Sequence, residues 1–506
     1  ANLFNSLGVG SAILLSHSGL GRLSEQPFMD GSVLLGMCLI CLVAFWSMRK
    51  PVEIPKWNAL LLLFLYALLF WQMVRTLTVY SILSDLFIYP EVMRNGSKFH
   101  LVTLGCPKNE VDSEKLAGSL LSDGMEPTDD LTNADLIVVN TCAFVEEARE
   151  ESIETILNLD ELRNEDSKIV VTGCLAERYG SEIQDFLPEV DHVAGFGVPV
   201  SFTRKATVPE FDLLNLPRPA SGKPWAYLKI AEGCDRACGF CSIPSFRGPQ
   251  RSRDIASRLD EVGSLKVKEV VLVAQDLAAY GRDQGVGEKS IIPLIERITQ
   301  RVDWVRLLYL YPSELNQELI DAMCALTVPY FDLSLQHVSP SLMKRMKRWG
   351  NAERFRELIS KIRKNSPEAI FRSNFIVGYP GETEEDQDEL IDFIKEMQLD
   401  WCGFFPFSDE EGTYASGLEG KIDRPLVLER LKELSFLQDE ITSSKRDALI
   451  GEKVSVLIDS HGVGRTYREA PEIDGIVSVP DSCKVGEFTD LIVKGSIGPD
   501  LEADLI

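Results

Sequence analysis

Positive charge is what this chain lacks. Its 506 residues hold 52 Lys and Arg against 77 Asp and Glu, a net charge of −25, with a pI near 4.7. A general grip on nucleic acid, whose phosphates ask for bases, does not fit that balance. Cysteine is scarce too. Eleven in so long a chain are too few for a disulfide scaffold, so any at tight spacing read as metal or redox ligands. Histidine is limited to His17, His100, His192, His337 and His461. Hydrophobic residues at 45% and charged residues at 25% are ordinary globular values, which excludes wholesale disorder. The length allows three or four domains at roughly 100–200 residues each.

Charge is absent altogether from two apolar runs, 31–48 and 57–74, each 18 residues long and so about the minimum for a membrane span. Between them Arg49, Lys50 and Lys56 mark a short basic loop. The direct reading is a transmembrane hairpin, and a buried helical hairpin is the alternative. The positive-inside rule places that loop in the cytoplasm. The chain after Val74 then emerges outside unless 76–90, a short stretch carrying Asp85, crosses back. Residues 1–92 contain five acids and five bases, so the whole −25 lies in 93–506. A third reading is therefore that 1–92 is a non-native extension and that the working protein starts at Met93. No charged segment precedes the first run, so a cleavable secretory signal is not expected.

From residue 99 the pattern alternates strand and helix. Expected strands at 99–104, 135–139 and 168–171 end near Cys106, Cys142 and Cys174, with helical stretches such as 113–123 and 143–157 between them. Such alternation implies a parallel sheet, and ligands sit at the carboxyl ends of parallel strands. Three cysteines at three such ends can converge on one point. Ordinary burial of a small residue is the alternative. Three thiolates suit an iron–sulfur cluster with one open iron. Zinc would want a fourth ligand, and only His100, at the far end of the first strand, is near in sequence.

A Pro-rich linker around 214–224 leads to Cys234, Cys238 and Cys241, spaced C-x3-C-x2-C on a loop leaving a strand. Three cysteines within eight residues can wrap one cluster and leave its fourth iron free. A structural zinc knuckle is the alternative, but no fourth Cys or His follows nearby. Further strands are expected at 226–230, 269–274, 305–311, 330–335, 371–377 and 403–407, giving six βα units. Cys38, Cys41, Cys324, Cys402 and Cys483 have no partner at ligand spacing and are not expected to be ligands.

The motif C-x3-C-x-F-C, with Phe240 before its last cysteine, resembles the signature of the radical S-adenosylmethionine (SAM) enzymes. Two cysteine triads in this order, followed by Ile376-Val-Gly378-Tyr-Pro-Gly381-Glu382-Thr383, look like the methylthiotransferases. Segments 104–109, 151–156, 243–248, 275–276 with 280–283, 335–337, 410–413 and 464–475 resemble the ribosomal-protein aspartate methylthiotransferases, the RimO type. The resemblance covers roughly 98–506. It implies an α/β fold with an N-terminal parallel-sheet, Rossmann-like domain at 98–213, a partial (β/α) radical SAM barrel at 220–447 and a small C-terminal β-barrel, the TRAM domain, at 450–506. The apolar helical leader, 1–92, lies outside it.

The resemblance also implies chemistry. Cys234, Cys238 and Cys241 would bind the [4Fe–4S] cluster that reduces SAM, and Cys106, Cys142 and Cys174 a second [4Fe–4S] cluster. The methylthio group would go to the β-carbon of an aspartate on the twelfth small-subunit ribosomal protein. An electron donor such as flavodoxin or ferredoxin would be the other partner, and the cytoplasm the place of work, with membrane contact only through the leader. Phe240 would pack near the adenine, with ordinary core as the bland alternative. Gly378 and Gly381 resemble an adenine-binding strand end, with a plain strand-to-helix turn as the alternative. Ser334, Gln336, Arg372 and Asn374 lie on the two strands expected to face SAM. A basic helix at 344–364, with nine Lys or Arg against Glu353 and Glu357, reads as a solvated face.

Residues 451–506 hold eleven acids and five bases. An RNA-binding module needs a positive patch, whereas an acidic one suits a basic ribosomal protein. Direct nucleic-acid binding is therefore disfavoured, and a tRNA adenosine methylthiotransferase (MiaB type) is the second reading.

Overall fold

The computed structural model describes residues 96–195, 216, 218–284 and 291–506, all within one compact unit, Glu91–Ile506. The apolar runs 31–48 and 57–74, the stretch 76–90, Cys38 and Cys41 lie outside the described residues. Among the described residues no helix is long and apolar enough to cross a membrane.

The first layer is a five-stranded parallel sheet in the order β2-β1-β3-β4-β5. Its strands are β1 (Lys98–Thr103), β2 (Glu126–Pro127), β3 (Leu136–Thr141), β4 (Lys168–Gly173) and β5 (His192–Ala194). β3 is buried at every position, as its unbroken apolar run Leu136–Val139 requires of an interior parallel strand. Helices α1 (Pro107–Ser122), α2 (Glu146–Leu162), α3 (Cys174–Tyr179) and the one-turn α4 (Ile183–Phe186) make the connections.

The second layer is a six-stranded parallel arc made of β6 (Trp225–Lys229), β9 (Glu269–Val273), β10 (Trp304–Leu310), β11 (Tyr330–Gln336), β12 (Ile370–Val377) and β13 (Trp401–Pro406), each beside the next in sequence. A small ribbon, β7 (Ala231–Glu232) with β8 (Arg251–Ser252), follows β6. The covering helices are α5 (Ile243–Arg247), α6 (Ile255–Leu265), α7 (Ile292–Ile298), α8 (Gln317–Cys324), α9 (Pro340–Arg345), α10 (Ala352–Asn365), α11 (Glu384–Met397) and α12 (Arg424–Asp447). Their starts follow local chemistry. Asp254 and Asn351 cap α6 and α10, and Thr383 with Asp386 forms a reciprocal capping box on α11. The six expected βα units are all present.

The basic stretch 344–364 is not one helix. It breaks between α9 and α10, where Lys347 (φ 52°) and Gly350 (φ 110°) take left-handed conformations. A Cβ on Gly350 would meet the Phe355 ring at 2.2 Å, so glycine is needed at that corner.

Side chains alternate across the arc. Val270, Leu272, Val305, Leu307, Phe331 and Leu333 face the helices in one large core. Trp225, Tyr227, Trp304, Tyr330 and Trp401 fill the inside in another. The inner core is closed from below by the third layer, a closed barrel of β14 (Lys453–Ser460), β15 (Val463–Arg465), β16 (Val477–Ser478), β17 (Phe488–Ile497) and β18 (Asp500–Leu505). Its Leu457 and Ala470 belong to the same apolar cluster.

Polar bonds pin this floor. Glu269 takes Arg306 and Arg465, each at 2.8 Å. The Tyr330 hydroxyl donates to Asp474 at 2.6 Å, and that of Tyr227 to the Pro471 carbonyl at 2.8 Å. The barrel is thus a plug as well as a surface. Of the charges counted from sequence, Arg465, Glu469 and the Asp474 carboxylate are sealed inside.

Candidate active site

Cys106, Cys142 and Cys174 follow three adjacent strands, β1, β3 and β4, at one end of the sheet. Cys106 precedes Pro107 at the start of α1, and Cys174 opens α3. Tight turns bring them in. Gly105 (φ 92°) has no room for a side chain, since a Cβ there would lie 2.7 Å from Cys142 Cβ and 3.0 Å from its sulfur. Asn109 ties the strand ends together, its Nδ2 donating to the Leu104 carbonyl at 2.9 Å and the Thr141 carbonyl at 3.0 Å.

The thiols feel one another. Burial and the neighbouring Cys174 push Cys142 up to about 12. Burial also raises Cys174, against the pull of Arg247. For Cys106 burial is outweighed by the Lys108 charge and the backbone N–H of Asn109, which hold it below its ordinary value. Burial thus favours the neutral thiols of Cys142 and Cys174, and a cation bound among the three sulfurs would offset it.

Cys234, Cys238 and Cys241 lie on the loop between β7 and α5. Cys234 N donates to the Gly248 carbonyl at 3.1 Å and Cys241 N to the Cys238 carbonyl at 3.2 Å. Sulfur is met by donors here as well, with Arg236 N 3.4 Å from Cys234 Sγ and Arg348 Nη1 3.4 Å from Cys238 Sγ. Burial pushes Cys234 to about 11 and Cys241 to about 12. Among the described residues, no three His, Cys, Asp or Glu side chains close round a single ion. Thiolates that each take a different iron of one cluster stand farther apart than the ligands of one ion.

One buried network joins the triads. Arg247, from α5, donates through Nη2 to Cys174 Sγ at 3.0 Å and to Asn109 Oδ1 at 2.8 Å. Its Nη1 reaches Glu232 at 3.0 Å and Asp112 at 3.2 Å. Lys229 completes the cluster on Asp112 at 2.7 Å and on Glu232. Glu232 Oε1 in turn accepts from Gly233 N at 3.2 Å, next to Cys234, and from Gln275 at 2.7 Å.

The expected SAM-facing residues fall in distinct places. Alternation puts Ser334, Gln336, Arg372 and Asn374 on the inner face of β11 and β12. Arg372 sits near the floor, 3.2 Å from Asp332 and 3.5 Å from Asp474. Asn374 is one step higher, and its buried Oδ1 has no protein partner. Gln275 Oε1 and Asp276 Oδ1, just past the end of β9, are orphaned likewise. Gln336 has φ 73° at a register shift between β11 and β12, the kind of strain that gathers at functional sites. The Ser334 carbonyl is taken by Arg348. Phe240 packs on the cluster of Leu342, Met346, Tyr379 and Ala415. Gly378 (φ 81°) and Gly381 (φ 81°) form the turn after β12. A Cβ at Gly378 would strike Val427 at 2.4 Å, whereas at Gly381 it would meet only the movable end of Arg345, and the left-handed φ is what favours glycine. Cys324, Cys402 and Cys483 join neither triad's contacts.

Four features were not singled out from sequence: the Arg247–Glu232 network, Arg348 on Cys238, Tyr309 and Glu410. Tyr309 has φ 64° at a register shift in β10, and Lys108 Nζ lies 3.7 Å over its ring. Glu410 is only 2% exposed and receives Arg149 and Arg178, each at 2.6 Å. Arg247 and Glu410 stand in segments that carry the resemblance, but nothing in a linear sequence shows the partner of a buried charge.

Residues 98–195 match a family described as uncharacterized protein family UPF0004, residues 228–394 the radical SAM superfamily and residues 450–506 the TRAM domain. The ribosomal protein uS12 methylthiotransferase RimO of Thermotoga sp. (strain RQ2) is 42% identical over 79% of this chain and 97% of its own. Its counterpart in Aquifex aeolicus is 42% identical over 76% and 91%. That of Cutibacterium acnes is 39% identical over 80% and 97%. Among solved structures, the radical SAM methyltransferase TsrM of Kitasatospora setae covers 61% of this chain and 73% of its own, at 16% identity and a TM-score of 0.43.

Proposed function

The chain belongs to the RimO family of ribosomal protein uS12 methylthiotransferases, and from that premise we propose a division of labour between its cysteine triads. The enzyme is a SAM-dependent transferase that uses two [4Fe–4S] clusters to add a methylthio group to uS12. In this reading Cys234, Cys238 and Cys241 hold the cluster that cleaves SAM, and Cys106, Cys142 and Cys174 hold the second. When bound, these groups supply the radical that opens an unactivated C–H bond and the sulfur that replaces the hydrogen.

The chain's own part is placement and shielding. Arg247 and Arg348 each donate to a cysteine sulfur, a contact suited to a sulfur that carries negative charge as a cluster ligand. Asn374, Ser334 and Gln336 line the barrel above the Arg372 ion pairs and are assigned to SAM, with Phe240, Gly378 and Gly381 at its adenine end. Arg372 reaches SAM only if it leaves Asp332 or Asp474. The single observation that carries the assignment is the continuous buried path Cys174–Arg247–Glu232–Gly233–Cys234, which fixes one triad against the other. The domain limits 98–213, 220–447 and 450–506 belong to the same proposal, as does a cytoplasmic place of work, where ribosomal protein is at hand.

Substrate choice is supported by surface charge. On the C-terminal barrel Glu452, Glu472, Asp481, Glu487, Asp490, Glu502 and Asp504 are exposed, against Lys453, Lys484 and Lys494. The surface stays acidic after the plug has buried part of the charge, which suits a basic protein better than tRNA. Intact-mass analysis of uS12 incubated with the holoenzyme, SAM and reductant tests the reading. A methylthio increment is expected, and an unmodified uS12 beside a modified tRNA would reverse it.

A further inference from the structure

Bases are scarce in this chain, yet they gather beside one cysteine triad. Lys344, Arg345 and Lys347 are exposed and Arg348 is half-buried, with no acid among residues 344–348. This stretch holds the Cys238–Cys241 loop directly. Arg348 Nη1 lies 3.4 Å from Cys238 Sγ, and Gly239 N donates to the Met346 carbonyl at 2.8 Å. A Cβ on Gly239 would sit 3.0 Å from the Arg345 carbonyl, so loop and patch are in van der Waals contact. The partners of these bases are neutral or sulfur groups. Lys347 Nζ lies 3.9 Å over the Tyr414 ring, and Arg345 donates to the Pro380 carbonyl at 2.9 Å. No carboxylate in these contacts cancels the charge.

We propose that the 344–348 patch is the docking surface for the electron donor, a small acidic one-electron carrier protein. The inference rests on Cys234, Cys238 and Cys241 being the ligands of the SAM-cleaving cluster. Electrostatic attraction between a basic patch and an acidic carrier raises the encounter rate and fixes its orientation. Against a net charge of −25, an acidic partner is repelled from most of the molecule and admitted here. The electron path is short, because the patch touches a cysteine sulfur through Arg348. One electron leaves the carrier, which is oxidised by one unit. A cluster held by Cys234, Cys238 and Cys241 would accept it, going from 2+ to 1+, and no proton or group would move. The basic substrate and the acidic donor are thereby sorted to surfaces of opposite charge. RNA would also be drawn to bases, but it has no use for contact with Cys238.

The test is the double variant Lys344→Glu with Lys347→Glu in the full-chain holoenzyme, neither residue being assigned to cofactor. Cluster bleaching is followed by stopped flow with reduced flavodoxin and, separately, with dithionite. With flavodoxin at low ionic strength the rate should fall at least tenfold and rejoin the wild-type rate at high salt. With dithionite the rate and the iron content should not change. An unchanged flavodoxin rate, or an equal loss with dithionite, would overturn the proposal. So would normal reduction combined with poor modification of uS12 within ribosomal particles, which would make the patch an RNA contact. If a variant with Cys234, Cys238 and Cys241 all changed to Ala kept a reducible cluster that cleaves SAM, the ligand assignment would fail instead, whatever the patch variant does.

Discussion

Arg247 Nη2 stands 3.0 Å from Cys174 Sγ, with the same guanidinium held by Glu232 and Asp112 on its other side. Burial works against its charge, but Cys174, Glu232 and Asp112 keep it well above the usual range. A cation donating to a cluster thiolate stabilises the extra electron of the reduced state. Arg247→Lys keeps the charge but loses the planar fork that serves four acceptors. It should retain the second cluster while lowering its midpoint potential, read by redox titration with electron paramagnetic resonance. Arg247→Met leaves two buried carboxylates to Lys229 and should cost about 3–5 kcal/mol, read by anaerobic urea unfolding. A potential and a stability that both match wild type would remove Arg247 from the site.

The triads should separate in function. Changing Cys234, Cys238 and Cys241 to Ala is expected to halve the iron and abolish SAM cleavage. Changing Cys106, Cys142 and Cys174 is expected to halve the iron, preserve SAM cleavage and abolish methylthio transfer. Full iron content in either triple variant would show the ligand set to be wrong.

Much of this arrangement was legible in the sequence because parallel strands announce themselves. Val138 and Val139 or Val270 to Val273 lie in apolar runs with one physical solution, and a cysteine just past such a run falls at the ligand end of the sheet. What stayed hidden depends on distance along the chain. Lys229 and Asp112 are 117 residues apart, and Arg465 and Glu269 are 196 apart, so their pairing leaves no local pattern. Counting charges in the last domain treated Glu469 and Asp474 as surface, whereas the plug buries their carboxylates. The basic stretch read as one helix because its periodicity survives the break. The left-handed Lys347 has no signature in residue type.

His337 should shape the acid response. It is fully buried, and burial holds its imidazole down at about 4 although Asp386 pulls the other way. The unfolded chain takes up that proton near pH 6.5. The folded state is therefore favoured most above pH 6.5 and loses stability as pH falls toward 4, by about 3 kcal/mol in all at about 1.4 kcal/mol per unit. His337→Gln keeps an acceptor for Ser339 N, which now donates to Nδ1 at 3.1 Å. Urea unfolding between pH 7 and pH 5 should show a shallower loss in the variant, and an identical slope would mean that other groups carry the response.

Glu410 should govern transfer without governing SAM cleavage. It follows β13, yet its Oε2 receives Arg149 from α2 and Arg178 from α3, both at 2.6 Å, while Ser408 donates to Oε1 at 2.5 Å. Cys174 opens α3, so this carboxylate clamps the helix of one triad to the barrel that carries the other. SAM cleavage needs only the barrel triad and its lining, whereas methylthio transfer needs both triads at a fixed separation. Glu410→Ala frees two arginines and lets the first layer drift, and a displacement near 1 Å can cost on the order of a hundredfold. The expected result is methylthio transfer to uS12 reduced on that scale, SAM cleavage within about twofold of wild type, and iron content unchanged. Glu410→Gln, which keeps the shape and loses the charge, should fall between. Equal loss of both activities would mean that Glu410 supports the barrel itself, and loss of neither would mean that the two layers hold their register without it.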